Sequence, residues 1–250
     1  MSLVDHYRNQ RAWRDWRQVL AELPSLGGAR VLDLGCGIGD QAEVLCGLGA
    51  KVLGVDANAT VIDAARARRI AGAEFVVGDL RNLPVPEQPF DGLWASFTAA
   101  YFPDLGPVLA SWQQRLRPGG FVVLVEIDDL FAHRPVAKRT NELLERYVDE
   151  ALVAGRYDFR MGRKLSGHLE RLGFVQRRCH ELPDREFAFA GAASPEVLQA
   201  WRERWELMRL LRVQFGTEYE AARDDFLGCL GDARHESLAR VLACIATQSG

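Results

Sequence analysis

The sequence predicts an α/β fold, a doubly wound sheet of parallel strands with helices on both faces. Three observations carry that expectation. Apolar runs of strand length alternate with segments of helical periodicity from about Arg30 to Glu126. The runs are continuously apolar, as in Phe121-Val122-Val123-Leu124-Val125, which is the signature of strands buried on both faces. A glycine loop, Gly35-Cys36-Gly37-Ile38-Gly39, follows the first strand and opens a helix at Asp40. That arrangement lets a small ligand lie on bare backbone above the sheet. An ordinary tight turn, or a nucleotide loop of another kind, would read the same way locally.

The 250 residues suffice for one good core, as one domain with an elaboration. Hydrophobic content of 48% and charged content of 26% are ordinary for a globular protein. A net charge of −3 offers nothing to nucleic acid or an anionic membrane. The basic run Arg66 to Arg69 is read as a solvated helix face. The five cysteines (Cys36, Cys46, Cys179, Cys229, Cys244) show no metal spacing and no disulfide framework. They are expected to be free thiols of a cytoplasmic chain. Met1 to Arg11 has no apolar signal region, and no run reaches transmembrane length.

Each element has its own warrant. Asn9 to Leu23 is expected to be helical, with Trp13, Trp16, Val19, Leu20 and Leu23 as its stripe and Pro24 as its stop. This segment either packs on the domain or serves as a flap, with Tyr7 or Arg11 reaching a ligand carboxylate. After the first strand comes a helix from Asp40 to Leu48, stopped by Gly49. Lys51 to Val55 is a second strand ending at Asp56. Thr60-Val61-Ile62-Asp63 has a capping-box shape, and Gly72 marks that helix's stop. Glu74 to Gly78 and Phe90 to Ser96 are the third and fourth strands, joined through Pro84, Pro86 and Pro89. A helix from Leu105 to Leu116 precedes the fifth strand, which ends in Glu126. Further on, helices are expected over Pro135–Ala154, Arg163–Leu172, Pro195–Leu211 and Glu218–Cys229, with a strand over Phe174–His180. The tail Leu238–Ala246 fits a strand completing the sheet edge, with a final helix as the alternative.

In such sheets ligands bind beyond the carboxyl ends of the strands. Those ends carry Asp33, Asp56, Asp79, Ser96-Phe97, Glu126 and Asp128. Asp56 suits the two hydroxyls of a ribose, and Asp79 suits an exocyclic amine such as that of adenine. This acidic rim repels phosphate, and no lysine follows the glycines. The third glycine of a dinucleotide fingerprint would fall at Asp40. A nucleoside with positive charge fits better.

Here the sequence resembles class I S-adenosylmethionine-dependent methyltransferases over Val31 to Glu126. The acidic-start glycine motif matches Asp33-Leu34-Gly35-Cys36-Gly37-Ile38-Gly39, the ribose acid Asp56, and the adenine acid Asp79 in Val77-Gly78-Asp79-Leu80. The fourth-strand motif matches Phe90 to Ala95, and the turn before the fifth strand matches Leu116 to Phe121. The resemblance implies a Rossmann-like methyltransferase fold, a mostly parallel seven-stranded sheet whose last strand is antiparallel. It divides the chain into an N-terminal helical flap (1–28), a cofactor-binding core (29–190), a helical cap insertion (191–237) and the core's last strand (238–250). It implies S-adenosylmethionine as cofactor, S-adenosylhomocysteine as product, no metal, and transfer of methyl to O, N or C of a small molecule. The implied cofactor residues are Asp33, Gly35, Cys36, Gly37, Gly39, Asp56, Ala57, Gly78, Asp79, Leu80, Ser96 and Phe97, with Tyr7 and Arg11 from the flap.

Many such enzymes rely on placement, because the sulfonium is a strong donor. A hydroxyl or acidic NH acceptor would need a base, for which Glu126, Asp128, His133 and His6 are the candidates. The plainer role of each is a solvated or capping residue. Tyr101 and Phe102 are read as acceptor-pocket walls or core, and Trp201-Trp205-Met208 as cap core. Ser96 to Tyr101 stands where nucleic-acid amino-methylating relatives carry Pro-Pro-aromatic. Pro-Cys and a two-glutamate loop are also absent, so a small metabolite is the expected acceptor of a monomer or homodimer. Another group transfer, or a non-catalytic cofactor sensor, is the alternative.

Overall fold

The computed structural model describes residues 13–85 and 88–250. His6, Tyr7 and Arg11, and the start of the expected first helix, lie outside them. The elements are α1 (Arg17–Ala21), β1 (Arg30–Leu34), α2 (Asp40–Gly47), β2 (Lys51–Asp56), α3 (Ala59–Ala67), β3 (Ala73–Val77) and β4 (Phe90–Ser96). Then come α4 (Leu105–Gln113), β5 (Leu116–Asp128), β6 (His133–Arg134), α5 (Lys138–Val153), α6 (Leu165–Arg171) and β7 (Val175–Glu181). The chain closes with α7 (Pro195–Leu207), α8 (Arg209–Phe215), α9 (Tyr219–Gly231), β8 (Glu236–Ser237) and β9 (Arg240–Thr247).

Seven strands form one sheet in the order β3-β2-β1-β4-β5-β9-β7, and only β9 runs against the rest. Strand alternation divides the buried side chains between two faces. Val31, Trp94, Val123 and Val125 pack under α2, α3 and the helices around residues 143–230. Leu32, Leu34, Val122 and Leu124 pack under α4 and α6. The sheet reverses its winding between β1 and β4, so the β1 and β4 ends open a crevice there.

The structure changes several local expectations. Residues 13–16 are not α-helical: Trp13 O accepts the Arg185 N–H at 3.0 Å and Arg14 bridges to Asp184. Tertiary pairing there overrides the stripe. The cap of α3 is Asn58, whose side chain accepts the Thr60 N–H at 2.9 Å, and the helix ends at Ala67 rather than near Gly72. The expected helix 195–211 is two, broken at Met208, whose ψ of 66° is not helical. The tail strand β9 lies inside the sheet, and β7 is the edge. Polar β7, VQRRCHE, suits that exposed position. Register places Cys179 opposite Cys244, and the two form a disulfide, so they are not the free thiols expected; Cys36, Cys46 and Cys229 are. Among the described residues no helix is long and apolar enough to cross a membrane.

Candidate active site

The glycine loop is fastened to the end of β2. Gly35 N–H and Cys36 N–H both donate to Val55 O, at 2.8 and 3.1 Å, and Gly37 N–H donates to Asp56 Oδ2 at 3.0 Å. Gly35 has φ +73°, and a Cβ there would stand 2.1 Å from Thr98 Oγ1. No other residue type meets both constraints. Thr98 Oγ1 donates to Leu34 O at 3.1 Å, holding the β4 loop beside this turn. Phe97 takes the left-handed conformation (φ 55°) with its N–H on Val125 O at 2.8 Å.

A cavity of ≈ 540 Å³ opens above these ends. Gly35, Cys36, Gly37, Ser96 and Phe97 line its floor, joined by Ile38, Asp40, Gln41 and Val44 at the start of α2. It continues between Tyr101, Tyr147, Tyr157 and Phe159 on one wall and Phe187, Arg204, Leu207 and Met208 on another. Arg14 and Trp16 close it from the N-terminal side. Most of these wall residues escaped sequence reasoning, since they come from five separate elements. Tyr101 lines the cavity as a pocket wall, whereas Phe102 packs edge-on against Trp112, away from it. Trp201 and Trp205 are fully buried as expected, but Met208 reaches the cavity.

Four carboxylates surround the loop. Asp33 is buried beneath it with Oδ2 unpartnered, and burial, followed by the nearby Asp56 and Asp40 charges, pushes its pKa up to about 8. Asp40 pairs with Arg68 at 2.7 Å. Asp56 is half-buried, its Oδ1 accepting the Asn58 N–H at 2.9 Å. Asp79 is exposed and accepts the Arg81 N–H at 2.9 Å. Gly78 N–H donates to Asp56 O at 3.0 Å, which brings the two strand ends together. Asp33, Gly39, Asp56, Ala57, Gly78, Asp79 and Leu80 thus surround or support the loop without lining the cavity. Cys36 is buried, and burial raises its thiol well above the ordinary range, so it is inert.

The candidate bases sit elsewhere. Glu126 is fully buried below the β4 loop, Oε2 accepting Ala100 N–H and Oε1 accepting Ile127 N–H, both at 3.1 Å. Asp128 is buried too; bonds from Arg163 (2.7 Å) and Arg240 (2.9 Å) outweigh burial and hold its carboxyl below the usual range. His133 stacks on His235, Nδ1 to Nε2 at 2.9 Å, and burial pulls its pKa down to about 3. It is a neutral core imidazole. None of the three lines the cavity.

A parallel sheet with a ligand crevice at its reversal, a glycine loop and an acidic rim defines a nucleoside-cofactor-binding α/β domain. Residues 32–124 match the family model described as "Methyltransferase domain". Residues 32–124, from β1 into β5, thus carry a methyltransferase domain of the kind whose cofactor is S-adenosylmethionine. The chain is 32% identical over 134 residues to a 2-phytyl-1,4-naphtoquinone methyltransferase of Synechococcus elongatus, covering 50% of this chain and 55% of that one. It is 34% identical over 131 residues to a trans-aconitate 2-methyltransferase of Deinococcus radiodurans, covering 50% and 49%. The matched stretch thus spans about half the length of these curated relatives. Among solved structures, an S-adenosylmethionine-dependent methyltransferase from Mesorhizobium loti superposes with TM-score 0.54 at 21% identity, covering 92% of this chain and 96% of that one. A Haemonchus contortus phosphoethanolamine N-methyltransferase 2 in complex with S-adenosyl-L-methionine gives 0.59 at 20%, covering 94% and 53%. These two likenesses concern the fold.

The residues present fit that cofactor. Each Asp56 oxygen keeps a lone pair beyond its backbone bond, which suits ribose hydroxyls. The unpartnered Asp33 oxygen, with Asp56 and Asp40 nearby, makes an environment that favours a cation.

Proposed function

We propose that the chain is an S-adenosylmethionine-dependent methyltransferase that methylates an O, N or C atom of a small organic molecule. The observation that carries this reading is the continuity of one cavity from the glycine loop to an aromatic chamber under α7 and α8. A donor held on the loop and an acceptor held in the chamber share one space. When bound, the cofactor supplies an activated methyl group on a sulfonium. Gly35, Cys36 and Gly37 make room for its aminoacyl arm, Asp56 accepts its ribose, and Asp79 accepts its adenine amine. Ser96 and Phe97 line the cavity beside the loop.

Placement is the chain's main contribution on this reading. Glu126, Asp128 and His133 stand behind the wall, with their polar atoms engaged by backbone, arginine or His235. A direct base role for any of them requires the wall to move. Tyr101, Tyr147 and Tyr157 all bring phenols to the cavity, and burial raises the pKa of Tyr147, so it stays a neutral donor. The resemblance among relatives reaches named acceptors as different as a phytyl naphthoquinone and trans-aconitate. A small-molecule acceptor is what those names support for this chain.

Two measurements test the reading. Transfer of label from methyl-labelled S-adenosylmethionine to a metabolite pool should yield a small labelled product. Tight cofactor binding without any labelled product would favour the sensor reading instead. Asp56→Ala should weaken S-adenosylhomocysteine binding by roughly ten- to a hundredfold in calorimetry, since hydrogen bonds to a charged group contribute about 1.5–3 kcal/mol. An unchanged Kd would remove Asp56 from the cofactor site.

A further inference from the structure

Among the described residues, the aromatic chamber presents an arginine that no carboxylate answers. Tyr101, Leu207 and Leu210 are 58, 56 and 50% exposed, yet all three line the cavity. Large apolar groups exposed together in a concavity form a surface for a ligand to cover. The arginines facing the same space differ in their commitments. Arg14 bonds Asp184 (3.0 Å) and Glu186 (3.1 Å), and Arg204 bonds Glu186. Two guanidiniums there meet two carboxylates. Asp40, also on the cavity, is answered by Arg68.

Arg156 is the exception. It lines the cavity from the turn after α5, with its backbone N–H bonded to Ala151 O at 3.0 Å, and its guanidinium pairs with no described carboxylate. Tyr157 follows it and meets Tyr101 edge-on, ring centroids 4.9 Å apart, so Arg156 and Tyr101 belong to one wall. The Tyr101 hydroxyl likewise makes no hydrogen bond to a described residue. An apolar wall that carries a cation no described carboxylate answers, and a phenol able to donate beside it, has the polarity of an amphiphile.

We propose that the methyl acceptor is a singly charged carboxylate with an apolar or aromatic body, its carboxylate on Arg156 and its body against Tyr101, Tyr157 and Leu207. Arg156 presents a planar fork that matches a carboxylate with two parallel bonds. This rests on the reading of the chain as a methyltransferase, and its test separates the two.

Calorimetry with saturating S-adenosylhomocysteine should compare 2-naphthoate and decanoate with their neutral counterparts, 2-naphthamide and decan-1-ol. At least one anion should bind about tenfold or more tighter than its neutral counterpart, as a charge-assisted pair implies. Either anion, aromatic or aliphatic, supports the proposal. Arg156→Gln should abolish the preference with S-adenosylhomocysteine affinity unchanged, and Arg156→Lys should restore part of it. Arg156 is exposed, so neither variant disturbs the core. The proposal is overturned if neither anion binds, if the neutral compounds bind equally well, or if Arg156→Gln keeps the preference. A fall in S-adenosylhomocysteine affinity in Arg156→Gln would assign Arg156 to the cofactor's own carboxylate and also overturn it. Failure of the wild-type chain to bind S-adenosylhomocysteine at all would strike the methyltransferase reading, and the proposal with it.

Discussion

Glu126 shows how far a single side chain can depart from its ordinary behaviour. It lies near the end of β5, with no exposed surface, and burial holds its pKa up at about 7 against a usual 4.5, although backbone N–H bonds pull the other way. A carboxyl whose pKa is raised by folding stabilises the fold fully below pH 4.5. That contribution is lost as pH rises through 7. Glu126→Gln imitates the neutral acid and removes the dependence. Between pH 5 and 8 the wild-type chain should therefore lose up to about 3 kcal/mol relative to Glu126→Gln in urea unfolding. Asp33, raised to about 8, titrates in both proteins and cancels from the difference. Parallel stability curves would show that Glu126 is ionised throughout.

Elements are bounded by local chemistry that the apolar pattern alone does not resolve. Helix α3 illustrates this, because Asn58 and Thr60 both have cap chemistry and only one serves. The Asn58 side chain accepts the Thr60 N–H, and Thr60 is already inside the helix. Asn58→Ala should cost about 1 kcal/mol in thermal unfolding, and Thr60→Ala, at an exposed position, within about 0.5 kcal/mol. The reverse order would return the cap to Thr60. The α7–α8 break has a different origin. Trp201, Trp205 and Leu211 keep helical spacing and are all buried, so the stripe reads as one helix. The turn at Met208 is where the chain bends over the cavity, placing Leu207, Met208 and Leu210 on it.

At the scale of the molecule, one ionic cluster fastens three distant segments. Arg14 near the N-terminus, Asp184 and Glu186 after β7, and Arg204 on α7 meet beside the cavity, and Trp201 Nε1 donates to Glu186 O at 2.9 Å. Arg14 also lies over the Phe97 ring at 4.3 Å, and Arg204 over Phe187 at 4.8 Å. Glu186 has no exposed surface, so its removal takes the paired carboxylate from Arg204 and one of two from Arg14 in a poorly solvated place. Glu186→Ala should destabilise the fold by about 3–5 kcal/mol in urea unfolding. A loss below 1 kcal/mol would mean that water already satisfies Arg204.

The sequence by itself determined the sheet, the loop and the acids beside it. Those features are local: a continuous apolar run, glycines where φ must be positive, and a carboxylate at each strand end. The resemblance that Asp33, Asp56 and Asp79 carried was enough to name the cofactor. Only the tertiary structure decided that β9 enters the sheet between β5 and β7, because one strand's periodicity carries no information about its neighbours. That neighbour relation brought Cys179 and Cys244 together and ended the expectation of five free thiols. It also decided the chamber. Arg14, Tyr101, Arg156 and Arg204 are far apart in the chain, and nothing near any of them in sequence shows which arginines find a carboxylate and which one does not. Charge compensation depends on distances in space, and the glycine loop reads from sequence because its partners lie within a strand or two.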